Sequence, residues 1–193
     1  MDSATPEVTA YLGLGSNLGD RFAKIRAAVL ALYDHPRLSI DLQRDVASLY
    51  ETSPVGGPAD QPAYLNSAIC VRTTLPPAGL LSAVLSVETA LGRVRHDRWG
   101  ARVIDIDVLL YDDLVTNDDT PTLPHPRMHE RRFVLEPLAE IAADVVHPVL
   151  RVTIADLARQ RRGQLTGESV IRVTGQTWGQ PDYGTDLIVG PTF

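Results

Sequence analysis

Apolar side chains fall along the chain in two rhythms, and their order lays out a fold. Thr9 to Leu14 (TAYLGL) is a short apolar run that predicts a strand leading into the turn GSNLGD. Phe22, Ile25, Ala28, Val29 and Leu32 recur at helical spacing behind Asp20, a capping residue, so a helix is expected through Tyr33, stopped by His35-Pro36. Leu38, Ile40, Leu42, Val46 and Leu49 predict an extended strand over Leu38 to Thr52, and the proline-rich SPVGGPADQP after it is a loop. Ala63 to Leu75 (AYLNSAICVRTTL) is rich in β-formers and reads as another strand. Pro76 and Pro77 open a second helix carried by Leu80, Leu81, Val84, Val87, Glu88 and Leu91, and Gly92 closes it. Val103 to Tyr111 is the next strand.

The order strand–helix–strand–strand–helix–strand predicts an α+β fold with a ferredoxin-like βαββαβ core. That core is a four-stranded antiparallel sheet with both helices on one face. Additional C-terminal helices are expected over Arg131 to Val146 and Thr153 to Arg162, packing at one end. From Gly163 the composition shifts, with six of the fourteen glycines in the last thirty-one residues. Val170 to Thr174 is a strand candidate there. The chain divides into a main domain over 1–162 and a C-terminal extension over 163–193.

Composition adds exclusions. No apolar run approaches the roughly 20 residues of a membrane span, and Met1 to Val8 lacks the basic-then-apolar order of a signal peptide, so a soluble, cytoplasmic protein is expected. One cysteine, Cys70, excludes an internal disulfide and a cysteine-based zinc site. Seventeen of the eighteen basic residues are arginine, and the only lysine, Lys24, follows no P-loop pattern. Genomic base composition accounts for an arginine bias in general, but not for its placement. Arg93, Arg95, Arg98 and Arg102 crowd into RVRHDRWGAR, a segment of net charge +3 in a chain of −6. An acidic body with one basic loop is a poor nucleic-acid binder, and no nucleic-acid or membrane partner is expected.

The sharpest local chemistry follows that loop. In VIDIDVLLY, strand alternation turns Ile104, Ile106, Val108 and Leu110 one way and Asp105 and Asp107 the other. Two neighbouring carboxylates either form a solvated acidic face or hold a hard divalent cation such as Mg²⁺. Carboxylate-held Mg²⁺ beside several guanidinium groups is the equipment of phosphoryl-type transfer, since arginine grips phosphate oxygens in bidentate fashion. Asp112-Asp113 and Asp118-Asp119 read as turn residues. Trp99 in the basic loop has something flat to cover, such as a base or heterocycle. Asn66 offers donor and acceptor together, and Tyr64 and Phe133 could flank a flat ring, although strand-edge packing also explains Asn66 and Tyr64. The prolines around His125 argue against a helical metal pair with His129. GLGSNLGDR lacks the glycine spacing of a phosphate loop and reads as a structural turn.

Four segments, GSNLGDR, the loop ending DQPAYLN, GRVRHDRWGARVIDIDVLLY and LPHPRMHERRFVLEPL, together resemble the 6-hydroxymethyl-7,8-dihydropterin pyrophosphokinase family from about Thr9 to Ala158. The resemblance implies transfer of pyrophosphate from ATP to the pterin alcohol, giving the pterin diphosphate and AMP in folate biosynthesis. It implies Asp105 and Asp107 as holders of two Mg²⁺ ions. Arg93, Arg95 and Arg102 would sit on a catalytic loop closing over ATP, with Arg93 and Arg102 nearest the chemistry and Trp99 covering the pterin. Thr52, Val55, Tyr64, Asn66 and Phe133 would form the pterin pocket. Glu88, Val108, Thr122, His125 and Arg131 would line the ATP side, and other folate-pathway enzymes are the expected protein partners.

The chain departs from the family pattern at Ser53, where proline is common, at Thr120, where an arginine can assist ATP, and in a basic loop one residue shorter than in some members. The pattern does not account for 163–193. Two rival readings share the element order or the acid pair: an RNA-recognition module, which needs exposed aromatics on a basic surface, and a palm-like nucleotidyl transferase or cyclase. The set Tyr64, Asn66 and Phe133 has no use in the latter.

Overall fold

The computed structural model describes residues 6–54, 61–93, 102–117, 120–164 and 169–173. Strand β1 spans Val8–Ser16 and helix α1 Arg21–Tyr33, opened as expected by Asp20, whose Oδ1 accepts the Ala23 N–H at 3.0 Å. Short strands β2 (Leu38–Ser39) and β3 (Tyr50–Thr52) precede the long strand β4 (Tyr64–Thr73). Helix α2 (Pro77–Ala90) begins on its prolines and ends before Gly92, whose φ of +89° suits glycine. Strand β5 (Asp105–Tyr111), helices α3 (Arg132–Ile141) and α4 (Ile154–Arg162), and strand β6 (Val170–Arg172) complete the described chain.

All strand pairs are antiparallel, in the order β5-β1-β4-β3-β6, with β2 paired to β4 further along. The sheet has six strands where four were expected, for two reasons. The single strand expected over Leu38 to Thr52 is broken by a turn: the Asp41 carboxylate accepts the Gln43 N–H at 3.0 Å, and the Asp45 carboxylate accepts the Asp41 N–H at 2.7 Å. Only an isolated bridge from Val46 to Ile69 spans the gap. The sixth strand comes from the C-terminal extension, within the segment marked as a strand candidate.

Helices α1 and α2 share one face of the sheet and bury Ala10, Leu12, Leu14, Ile69, Ile106 and Val108 beneath Ile25, Leu32, Leu80 and Val84. The C-terminal helices do not sit at one end, as the sequence suggested. They cover the opposite face, where Leu135, Leu138, Ile154 and Leu157 pack on Ala68, Leu109 and Leu110. Strand β4 is buried on both faces, which is why Leu65, Ala68, Ile69, Cys70 and Val71 do not alternate with exposed polar residues and why Asn66 and Ser67 are buried too. Leu110 also departs from the expected alternation. The β1–β5 register slips between Tyr11 and Leu12, so Leu109 is the extra residue of a bulge and Leu110 turns to the α3 face, away from Ile106 and Val108.

A carboxylate locks α3 to α4. Glu136, only 6% exposed, accepts the Arg162 Nε–H at 2.7 Å and the Arg132 Nη2–H at 3.3 Å. No helix among the described residues is long and apolar enough to cross a membrane. Glu136→Ala removes the acceptor shared by two partly exposed guanidinium groups and is expected to cost about 2 kcal/mol, read from the urea midpoint. Cys70 reports the same transition: burial pushes its thiol up to about 11, so a thiol reagent at pH 8 should react only on unfolding.

Candidate active site

The site lies on the α3 face of the sheet, toward the β5–β1–β4 edge of that face. Leu12 and Leu14 turn into the core, so Gly13 and Gly15 of β1 face the other way. Gly15 pairs with Asp105 on one side and Asn66 on the other, and Gly13 pairs with Asp107 and Ala68. An acidic strand and a polar strand therefore flank a strip without side chains. A Cβ on Gly15 would lie 2.9 Å from Asn66 Oδ1, and one on Gly13 would lie 3.3 Å from Leu109 Cδ1. A cavity of about 360 Å³ opens over this strip. It brings together Thr52, Tyr64, Asn66, Arg102, Asp105, Asp107, His125, Arg131 and Phe133.

The acid pair is compensated unevenly. Asp105 Oδ1 lies 2.8 Å from Arg93 Nη1, and its Oδ2 lies 2.5 Å from Arg102 Nη1. Asp107 has His125 Nε2 at 4.0 Å. Enclosure in the cleft, and then the negative charge of Asp105, raise the Asp107 carboxyl above the ordinary carboxylate range. Arg93 is held in turn by Glu88 of α2, 1% exposed, which also accepts the Ile106 N–H at 2.7 Å. Burial raises the Glu88 carboxyl too.

The basic segment is anchored at its far end by the turn read as merely structural. Asn17 Oδ1 accepts the Arg102 N–H at 2.7 Å, the Asn17 N–H donates to Arg102 O at 3.1 Å, and Ser16 Oγ donates to Val103 O at 2.6 Å. Gly13, Gly15 and Gln61, which no motif of the sequence marks as site residues, also line the cavity. Glycines at alternate positions of an apolar strand were the available signal.

At the polar end, Asn66 Nδ2 donates to Thr52 Oγ1 at 2.7 Å, and the Tyr64 hydroxyl donates to Gln61 Oε1 at 3.2 Å. Phe133 lies below the Arg131 guanidinium, 5.6 Å from Cζ to the ring centroid. The backbone N–H of His125 donates to Leu109 O at 2.8 Å, fixing the proline-flanked segment to β5. His125 Nδ1 accepts the Arg127 N–H at 3.2 Å, which leaves Nε2 protonated and turned to Asp107. Burial, and then the Arg131 cation, push the His125 pKa down to about 4, so the ring is neutral at pH 7. His129 belongs elsewhere, packed edge-on against His147 at 5.9 Å.

Four described residues expected on the ATP side are not among those lining the cavity: Arg93, which meets it only through Asp105, Glu88, buried behind Arg93, Val108, whose side chain is in the core under α1 and α2, and Thr122. Val55, Arg95 and Trp99 lie outside the described residues. Among the described residues no group of three or more metal-ligating side chains gathers. Two adjacent carboxylates, one with its proton affinity raised by burial and by the other's charge, still fit a hard cation that draws its remaining ligands from phosphate and water, as Mg²⁺ does.

Known proteins match this chain along most of its length. The sequence model described as 7,8-dihydro-6-hydroxymethylpterin-pyrophosphokinase (HPPK) matches residues 11–143. The 2-amino-4-hydroxy-6-hydroxymethyldihydropteridine pyrophosphokinase of Methylorubrum extorquens is 50% identical over 137 residues, covering 71% of this chain and 84% of that protein. Its Bacillus subtilis counterpart of the same name is 45% identical over 136 residues, 70% and 79% of the two chains. A crystal structure of wild-type Plasmodium falciparum HPPK-DHPS with pteroate superposes with a TM-score of 0.62 at 14% identity, over 80% of this chain. The chain spans 44% of that longer polypeptide, and the likeness speaks for the fold. The matched region holds both the acid strand and the glycine strip, and the chain belongs to the 7,8-dihydro-6-hydroxymethylpterin-pyrophosphokinase family.

Proposed function

We propose that this protein transfers the pyrophosphoryl group of ATP to 6-hydroxymethyl-7,8-dihydropterin, giving the pterin diphosphate and AMP in folate biosynthesis. The observation that carries the reading is the cavity itself. An acid pair with guanidinium partners faces an amide and two aromatic rings across a strip cleared by Gly13 and Gly15. One end suits polyphosphate and the other a flat, hydrogen-bonding heterocycle. The order β5-β1-β4-β3, with α1 and α2 on one face, supports a ferredoxin-like core beneath the site.

In this reading the pterin hydroxymethyl oxygen attacks the β-phosphorus of ATP and gives its proton to water, the bond from the β-phosphorus to the α,β-bridging oxygen breaks, and AMP leaves with that oxygen. Asp105 and Asp107 would hold Mg²⁺, which when bound neutralises phosphate charge and lowers the pKa of the attacking alcohol. Asn66, oriented by Thr52, reads the ring edge, while Tyr64 and Phe133 flank its faces. Arg93 and Arg102 exchange Asp105 for phosphate oxygens as ATP arrives, so the guanidinium groups paired with that acid become the clamp on the substrate. Arg131 sits beside the same cavity as a further cation for phosphate. The reading favours folate-pathway enzymes as partners, in keeping with the fused form of the Plasmodium chain.

Incubation with ATP, Mg²⁺ and the pterin alcohol is expected to yield AMP in proportion to the pterin consumed. ADP as product rejects the reading, and pyrophosphate release favours a nucleotidyl transferase instead. Asp105→Ala and Asp107→Ala should each lower kcat by at least about a hundredfold, an effect of the size of losing one electrostatic stabiliser at a reacting phosphate. Full activity of either variant removes the acid pair from the mechanism. Gly15→Ala, which pushes a methyl group against the Asn66 amide, is expected to raise the KM for the pterin about tenfold while the KM for ATP changes little. Equal changes in both constants would place Gly15 outside the pterin end.

A further inference from the structure

Strand β6 lies in the C-terminal extension, beyond the matched region 11–143, yet it joins the sheet beside β3, whose end supplies Thr52 and Ser53 to the cavity. Its partner, β3, has three residues, Tyr50 to Thr52, and pairs with β4 on its other side. So short a strand is a weak edge by itself. Strand β6 pairs along its whole length: Tyr50 with Arg172, Glu51 with Ile171, and Thr52 with Val170.

The pairing continues past both ends of β3. The Val173 N–H donates to Leu49 O at 2.8 Å. The Ser53 N–H donates to Ser169 O at 3.0 Å, and Ser53 Oγ accepts the Ser169 N–H at 3.0 Å. A proline at 53 would have neither group. Thr52 and Ser53 both line the cavity, and Thr52 Oγ1 accepts from the Asn66 amide.

Arg172 adds a charge contact to the same edge. Its Nε lies 2.8 Å from Glu140 Oε1, and its Nη2 donates to Ser48 Oγ at 2.7 Å. Glu140 in turn accepts the Ser48 N–H at 2.6 Å and the Tyr50 hydroxyl at 2.9 Å. The carboxylate of α3 that holds β3 is thus itself compensated from the C-terminal extension.

We propose that β6 is a positioning strap for the substrate-binding edge, holding Thr52 and Ser53 in place and, through Thr52, orienting the Asn66 amide for the pterin ring. This rests on the assignment of that end of the cavity to the pterin. Residues of β6 touch no substrate; they act through β3.

Ile171 is the test position, because its side chain is 62% exposed and it sits opposite Glu51 at the middle of the pairing. The full chain carrying Ile171→Pro is compared with Ile171→Thr by AMP formation and by amide hydrogen exchange at Leu49 to Ser53. Ile171→Pro is expected to raise the pterin KM about fivefold to tenfold, the scale of one lost hydrogen bond, with the ATP KM within about twofold and faster exchange at Ser53. Ile171→Thr, which keeps the N–H, should match the parent in all three. Should Ile171→Pro fail to fold, Arg172→Ala is read the same way, with a smaller rise in the pterin KM expected.

An unchanged pterin KM with faster exchange at Ser53 overturns the strap, and so does a parallel rise in both KM values. A parent chain that makes no AMP rejects the pyrophosphokinase reading, and the strap falls with it.

Discussion

Glu88 is almost wholly removed from water, and a carboxylate so placed must be compensated where it stands. Its partners are the Arg93 guanidinium and the backbone N–H of Ile106. Through the first it holds the start of the basic segment, and through the second it holds β5 between its two aspartates. Arg93 then reaches Asp105. One buried charge on α2 therefore sets the position of the acid strand and of the first arginine beside it. Ser16 and Asn17 do the same for the segment's other end, gripping the backbone of Arg102 and Val103. The two ends of the basic segment are thus tied to rigid elements, and Arg93 and Arg102 meet the two oxygens of Asp105.

The sheet separates stability from chemistry by face. Between β1 and β5, side chains under α1 and α2 are aliphatic and closely packed, while those on the opposite face are two glycines and two aspartates. The bulge at Leu109 marks the end of this division. Before it, β5 sends acids to the cleft; after it, Leu110 joins the α3 core. Gly13 accommodates Leu109, and Gly15 accommodates the Asn66 amide, so neither glycine can gain a side chain without disturbing a specific neighbour.

Much of this was legible in the residue order. The acid pair, the basic segment ahead of it, the first two helices, and the long strand carrying Asn66 follow from alternation, helical spacing and turn residues, which are local properties. Other features became visible only in the fold. The stretch 38–52 has strand-like periodicity throughout, but Asp41 and Asp45 bond their own backbone and fold part of it into a turn. Val108 and Glu88 sit at positions that a motif connects with ATP, yet their side chains point into packed interior. Asn17 sits in a turn whose partner at Arg102 is 85 residues away.

By itself, the sequence determined which residue types are available and in what rhythm: an acidic body with a single basic segment of net charge +3, followed directly by two aspartates on one side of a strand. Those facts depend on covalent order and on the period of the backbone. Only the tertiary structure decided that Asp105 would be shielded by Arg93 and Arg102, that glycines would clear the ground between acid and amide, and that a strand from the C-terminal extension would brace the far edge. Each of these depends on backbone pairing and burial between segments far apart in the chain. Such contacts arise when the sheet closes and both its faces are covered, and no local pattern encodes them.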